Sequence, residues 1–288
     1  MALFEMDAYS PRQVAAQVQA VGVAKARLPA LAMVMLGISA GGFIGLGALN
    51  SVLVFADPAL SFAASRLLGG LAFSLGLVLV VIAGAELFTG NNLLVMAWAD
   101  GRITAGEVVR NWIVVYLANA AGAIGLAVVV WLSRHGDMNQ GAVAAQYVSI
   151  AAAKTALPFW EAFFKGVLCN LLVCLAVWMA MAGRSVTDKI LAVVFPISAF
   201  VAAGFEHSVA NMYLIPLGIL LAAGAPAAGP VPDWAGFTSN LLPVTLGNIA
   251  GGSIMVAAVY HLIYNRSLRA QAGAIPGGDG NRGPQEGP

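Results

Sequence analysis

Two short polar stretches stand inside long apolar ones, and their side chains suit hydrogen bonding to a small anion or transfer of a proton. They read Glu86-Leu87-Phe88-Thr89-Gly90-Asn91 and Glu206-His207-Ser208-Val209-Ala210-Asn211. Imidazole titrates near neutral pH, so His207 is a candidate to hydrogen-bond a passing anion or to hand it a proton. The alternative is a neutral ring satisfied by a backbone carbonyl. His135 falls in a loop and His261 near a helix end, away from such a setting. Glu86 and Glu206 would repel an anion they faced. Both are therefore read as structural, accepting bonds from backbone N–H groups freed where a helix breaks. Thr89 and Asn91 carry donors; Thr89 is read as facing the anion, Asn91 and Asn211 as structural at the breaks.

Composition says what must position these groups. Of 288 residues, 60% are apolar and 9% charged, whereas a soluble domain carries about 25% charged residues. Only lipid tolerates that much outward apolar surface. The net charge of +1 points to no nucleic-acid partner. A spanning helix needs about 20 mostly apolar residues. Such stretches occur at roughly 30–54, 67–98, 112–132, 159–182, 190–222 and 238–264, so the reading is an all-α membrane protein with six transmembrane helices. The second and fifth are too long for one crossing and contain the two polar stretches. Irregular backbone at membrane depth survives only where it is buried in protein or lines a wet cavity, which makes both breaks candidate pore elements.

The flanks read differently. The first 27 residues show no secretory signal. Ser10-Pro11-Arg12-Gln13 reads as a capped helix start, with Val14, Val18 and Val21 as a stripe and Arg12, Gln17 and Lys25 elsewhere on the surface. Residues 1–28 are expected to form a cytoplasmic amphipathic helix, 29–265 the channel domain and 266–288 a disordered cytoplasmic tail rich in Gly, Pro and Gln. Ten Lys and Arg fall on the side of the termini and three on the other, which puts both termini in the cytoplasm by the positive-inside rule.

The halves resemble each other. Ala83-Gly84-x-Glu86-x4-Asn91 matches Ala203-Gly204-x-Glu206-x4-Asn211 at an offset of 120. At the same offset Phe43-x6-Asn50 matches Phe163-x6-Asn170, and Leu117-x-Asn119-x2-Gly122 matches Leu246-x-Asn248-x2-Gly251 at an offset of 129. Three spans per half force opposite insertion, so the fold is an inverted 3+3 repeat with broken helices two and five. Transport sites sit where such repeats meet, at broken helices. Gly37, Gly41 and Gly45 recur every fourth residue, a spacing that admits a close helix, here expected from another subunit.

Other polar groups have two readings. Asn50, Asn119, Asn170, Asn211 and Asn248 are amides within helices, where such residues commonly join helices. Lys154 precedes span four and Lys165 lies within it; each raises the local positive potential that draws anions in, unless Lys165 snorkels to the headgroups. Phe73, Leu77, Phe88 and Phe200 lie near the breaks, as plain packing or as hydrophobic constrictions. Cys169 and Cys174 have no metal-ligand spacing and are read as inert thiols.

The chain resembles the formate/nitrite transporter family over about 30–265. The stretches that carry the likeness are Gly84-Ala85-Glu86-Leu87-Phe88-Thr89-Gly90-Asn91, Phe163 through Trp178, and Phe205-Glu206-His207-Ser208-Val209-Ala210-Asn211-Met212. The resemblance implies an aquaporin-like six-helix protomer of a homopentamer, one pore per subunit, in a bacterial inner membrane. It implies that the Thr89 segment is the mobile loop breaking span two and that His207 is the central pore histidine. Lys154 and Asn170 match the family's lysine and asparagine, sixteen apart, and Asn248 the asparagine of its last helix, which makes all three pore candidates. The substrate is then a small monovalent anion, formate or nitrite, with hydrosulfide as the alternative. Passage is expected to be coupled to a proton through the histidine. The stretch around Lys165, with Cys169 and Cys174, looks closest to the nitrite-carrying branch.

Rival classes lack their own marks. An aquaporin would show Asn-Pro-Ala twice, where this chain has Thr-Gly-Asn and Val-Ala-Asn; an ammonium channel would pair two pore histidines. Ser208 adjoins His207, but no separate strained serine loop supplies a nucleophile for an intramembrane Ser-His enzyme. The chain is expected to be no enzyme and to need no metal or cofactor.

Overall fold

The structure, a computed structural model, describes residues 8–223 and 231–264. The tail expected to be disordered lies outside the described residues. Ten α-helices are described, here α1 (Pro11–Ala26), α2 (Ala30–Phe55), α3 (Phe62–Ala83), α4 (Leu94–Ala99), α5 (Ala105–Leu132), α6 (Ala142–Thr155), α7 (Phe159–Ala182), α8 (Val186–Ala203), α9 (Ser208–Ala222) and α10 (Trp234–Ile249). Six helical segments are long and apolar enough to cross a membrane, the last running Trp234–Tyr264. At most half of each apolar window is buried, and Leu31, Phe62 and Phe195 stand exposed. Apolar surface on this scale requires lipid around it.

The breaks have a local cause. α3 stops at Gly84 (φ 79°) and α8 at Gly204 (φ 75°), a left-handed conformation that glycine adopts without a Cβ penalty. The next N–H then reaches back five residues, Ala85 to the Val80 carbonyl and Phe205 to that of Phe200, closing each helix as a C-terminal cap. Span two resumes through a 3₁₀ turn at Gly90–Leu93 and the six-residue α4; span five resumes as the fifteen-residue α9.

Packing fixes the register of the repeat. α2 lies against α3 and α5, and α7 against α8 and α10. Gly122 of α5 faces the Ile38 carbonyl, and Gly251, beyond α10, faces that of Val167. Both pairs are related by 129, so α2 corresponds to α7 at that offset. The match of Phe43-x6-Asn50 to Phe163-x6-Asn170 at 120 is therefore a coincidence of two residues. Asn50 donates to the Ala72 carbonyl while Asn170 serves the Thr89 segment.

Two other expectations change. Gly37 meets Ala118, Gly41 the Asn119 backbone, and Gly45 Leu126 and Tyr213; this stripe packs inside the protomer, not against another subunit. On α1, Val14 and Val18 are buried and Val21 is exposed. Lys25 is not a surface residue of that helix: it turns inward to Glu86. Past Ile249 the last span widens into a π-helix, Ala250–Ala258, and the Asn248 carbonyl accepts from the Asn170 amide at 2.7 Å.

Candidate functional site

The two breaks meet. Thr89 Oγ1 lies 3.0 Å from His207 Nε2, and both residues are buried. His207 is also the N-cap of α9: its Nδ1 accepts the Ala210 N–H at 3.1 Å. A nitrogen that accepts carries no proton, which places the ring's hydrogen on Nε2. His207 therefore donates to Thr89, and the Thr89 hydroxyl proton is left free for another acceptor.

Cavities open on either side of this contact. The larger, about 600 Å³, is lined by Lys25, Leu77, Glu86, Leu87, Asn91, Arg184 and Lys189 among others. The smaller, about 380 Å³, is lined by Arg66, Phe73, Lys154, Lys165, Phe200, Glu206 and His207. Phe200 stacks on the imidazole with centroids 5.9 Å apart, and Phe73 meets Phe200 edge-on at 5.5 Å. Leu77 borders the larger cavity and the two phenylalanines the smaller, so three of the four expected constriction residues flank the route. Phe88 does not: it packs edge-on against Tyr116 and Trp112 and lines neither cavity. Its neighbour Leu87 takes the lining position.

Each mouth holds the same tetrad. Lys25 Nζ sits 2.8 Å from Glu86 Oε1, and Asn91 Nδ2 donates to Glu86 Oε2 at 2.7 Å and to Asn111 Oδ1 at 2.9 Å. Lys154 Nζ sits 2.8 Å from Glu206 Oε1, and Asn211 Nδ2 donates to Glu206 Oε2 at 2.7 Å and to Asn240 Oδ1 at 2.8 Å. Asn111 and Asn240 donate in turn to the Lys25 and Lys154 carbonyls. This corrects the reading of Glu86 and Glu206. Their partners are side chains rather than freed backbone N–H groups, because each buried carboxylate needs a counter-charge more than it needs a neutral donor.

The freed backbone groups go to amides. Asn119 donates to the Gly37 and Glu86 carbonyls and accepts the Phe88 N–H. Asn248 donates to the Gly166 and Glu206 carbonyls and accepts the Ser208 N–H. Asn170 donates to the Thr89 carbonyl at 3.2 Å, which Cys174 Sγ also approaches at 3.4 Å. Asn170, Asn248 and Thr89 itself line neither cavity; the two asparagines brace the breaks through the bonds just given. Lys154 does reach a cavity, with its charge paired to Glu206.

Lys25, Asn111 and Asn240 escaped the sequence reading. A signal existed: Lys25-x2-Leu28-Pro29 recurs as Lys154-x2-Leu157-Pro158 at the offset of 129 already seen between Asn119 and Asn248. Ser208 Oγ makes no hydrogen bond among the described residues, and both ring nitrogens of His207 are engaged elsewhere. No Ser-His couple forms.

Comparison with known proteins agrees with this geometry. A family profile described as formate/nitrite transporter matches residues 12–262. The chain is 40% identical to the formate channel FocA of Escherichia coli K12, over 90% of this chain and 96% of that protein. It is 37% identical to a probable formate transporter of Methanothermobacter thermautotrophicus, over 88% and 97%. A solved pentameric formate channel with formate bound superposes with a TM-score of 0.76 at 40% identity, covering 82% of this chain and 98% of the other.

Proposed function

The chain belongs to the formate/nitrite transporter family, and we propose that it is a formate channel, a homopentamer with one pore per subunit. It is a channel protein, not an enzyme, and crosses the membrane several times. The observation that carries the reading is the Thr89–His207 contact between two cation-bearing cavities. Formate arrives at a mouth whose cations lower its energy, then meets Leu77 and Leu87 from one side or Phe73 and Phe200 from the other. Stripping water from a bare anion there is costly. Thr89 Oγ–H and His207 Nε2–H offset part of that cost by donating as the anion displaces their mutual bond.

The cap limits how His207 handles protons. An imidazolium would turn an Nδ1–H toward the Ala210 N–H, so charging the ring requires that cap bond to break. While that cap holds, His207 acts as a neutral donor. Asparagine at 207 keeps both a cap and a donor but cannot titrate. Flux of formate, nitrite, hydrosulfide and chloride into proteoliposomes across a pH series tests the whole reading. Formate should pass well ahead of chloride, and His207→Asn should assemble, retain formate flux and keep its pH profile. Absent formate flux overturns the substrate. Loss of flux or of pH dependence in a folded His207→Asn pentamer would show that the imidazole itself transfers the proton.

The Lys25 mouth is proposed to face the cytoplasm with both termini, supported by the Lys and Arg asymmetry. A cysteine at Asp233, the N-cap of α10, should react with an impermeant thiol reagent from outside. Labelling only after lysis would reverse the orientation.

A further inference from the structure

The cations around the two cavities differ in their commitments. Lys25 and Lys154 are held by Glu86 and Glu206 at 2.8 Å each. Arg66 donates to the Val201 and Ala202 carbonyls at 2.7 and 2.9 Å, capping the end of α8. Lys165 pairs with Glu161 at 2.7 Å. Arg184 lies over the Tyr9 ring at 4.8 Å. Lys189 lines the larger cavity, half-buried, and among the described residues its ammonium has no hydrogen-bond or ion-pair partner. Its neighbour Asp188 is engaged elsewhere, because its Oδ2 accepts the Arg184 and Ser185 N–H groups in the cap of α8.

From this we propose that Lys189 forms an anion-docking subsite in the larger mouth, which takes small monovalent carboxylates and anions of like size before they reach Leu77 and Thr89. The inference rests on the reading of the chain as an anion channel. Three facts bear on it. The tetrad lysine deeper in the same cavity is already neutralised by Glu86, so it offers a passing anion little net field. Leu77, Val80, Val81 and Met181 share the lining, and apolar walls reduce the screening of a charge beside them. An ammonium that no carboxylate among the described residues satisfies is open to one supplied by the solution. Being committed to nothing else, Lys189 can bind and release its guest without disturbing the breaks.

The test is flux against concentration, from each side separately, in proteoliposomes of fixed orientation, with formate and nitrite as probes. Lys189→Gln should raise the half-saturating concentration on the Lys189 side about threefold to tenfold. The maximal rate should stay within about twofold, since no contact of the folded protein is lost. The factor should be alike for formate and nitrite, smaller from the opposite side, and erased at high ionic strength. Lys189→Arg should behave as wild type. An unchanged half-saturating concentration in Lys189→Gln, an equal shift from both sides, or a Lys189→Arg variant as impaired as Lys189→Gln overturns the proposal. A wild-type protein that carries nitrite and not formate overturns the formate reading while the nitrite curves still decide Lys189. One that carries neither overturns both.

Discussion

The half of the chain around Lys25, Glu86, Asn91, Asn111 and Asn119 and the half around Lys154, Glu206, Asn211, Asn240 and Asn248 build one hydrogen-bond network twice. The carboxylates, amides and lysines occupy corresponding places, with one bond unmatched: Lys25 Nζ also donates to Asn91 Oδ1 at 3.0 Å, whereas Asn211 Oδ1 accepts none among the described residues. The correspondence fails at the centre. At the offset of 120, Thr89 answers to Val209, and His207 to Leu87. The two residues that touch where the breaks meet are thus not mates, and each has an apolar counterpart in the other half. Duplicated positions hold the breaks; the unduplicated pair is the one proposed to meet the anion. One half resumes as the six-residue α4 behind a 3₁₀ turn, the other as a fifteen-residue helix that His207 caps directly. A long regular helix aims the imidazole, while a short irregular segment held by Asn170 and Cys174 presents the hydroxyl.

The tetrads themselves offer the strongest way to break the comparison. They share geometry but differ in exposure: the side chains of Lys154 and Glu206 are 15% and 6% exposed, those of Lys25 and Glu86 26% and 4%. Removing one partner of a buried pair leaves an uncompensated charge and costs about 3–5 kcal/mol. The carboxylates left behind are about equally buried, so the difference lies in the vacated lysine site. The one at Lys25 is more open to water, which offsets more of the loss even though the bond to Asn91 Oδ1 goes too, and the cost falls to about 1–2 kcal/mol. Lys154→Met should therefore lower the thermal denaturation temperature of the purified protein clearly more than Lys25→Met. Equal losses would mean that the small difference in exposure has no energetic content. The reverse order would mean that α1 contributes more to the fold than its place at the rim suggests.

The breaks were legible because their grammar is local. Gly84-x-Glu86-x4-Asn91 and its repeat can be read on one strip of chain, since glycine, carboxylate and amide lie within eight residues. The partners of the carboxylates were not, because they arrive from 61 residues before Glu86 and 52 before Glu206. Hydropathy marks Lys25 as a surface residue of an amphipathic helix; nothing nearby says that it turns inward. The misregistered match of Asn50 to Asn170 has a related origin. Between Asn91 and Asn111 the first half is nine residues shorter than the second between Asn211 and Asn240, and the offset of spans two and five was carried to span one, where packing follows 129. The bonds of Asn248 were not legible for another reason. A buried amide looks the same in sequence whether it faces a lumen or serves backbone carbonyls, and only the three bonds of Asn248 distinguish the two.

Ser208 gives the finest test of the contrast between scaffold and centre. Its N–H donates to Asn248 Oδ1 at 2.9 Å, just as the N–H of its mate Phe88 donates to Asn119 Oδ1 at 2.9 Å. The repeat thus asks only for a backbone N–H at this position and accepts a phenylalanine or a serine side chain above it. The Ser208 hydroxyl is buried and makes no hydrogen bond among the described residues. Removing an unsatisfied buried polar group is close to neutral or slightly stabilising. Ser208→Ala should therefore change stability by no more than about 0.5 kcal/mol, and formate flux should stay within about twofold of wild type. Thermal denaturation and proteoliposome flux on one preparation would check both. A flux loss of tenfold or more at unchanged stability would place the Ser208 hydroxyl beside the passing anion. The asymmetric centre would then comprise Thr89, His207 and Ser208, and α9 would contribute two donors to the pore from successive residues.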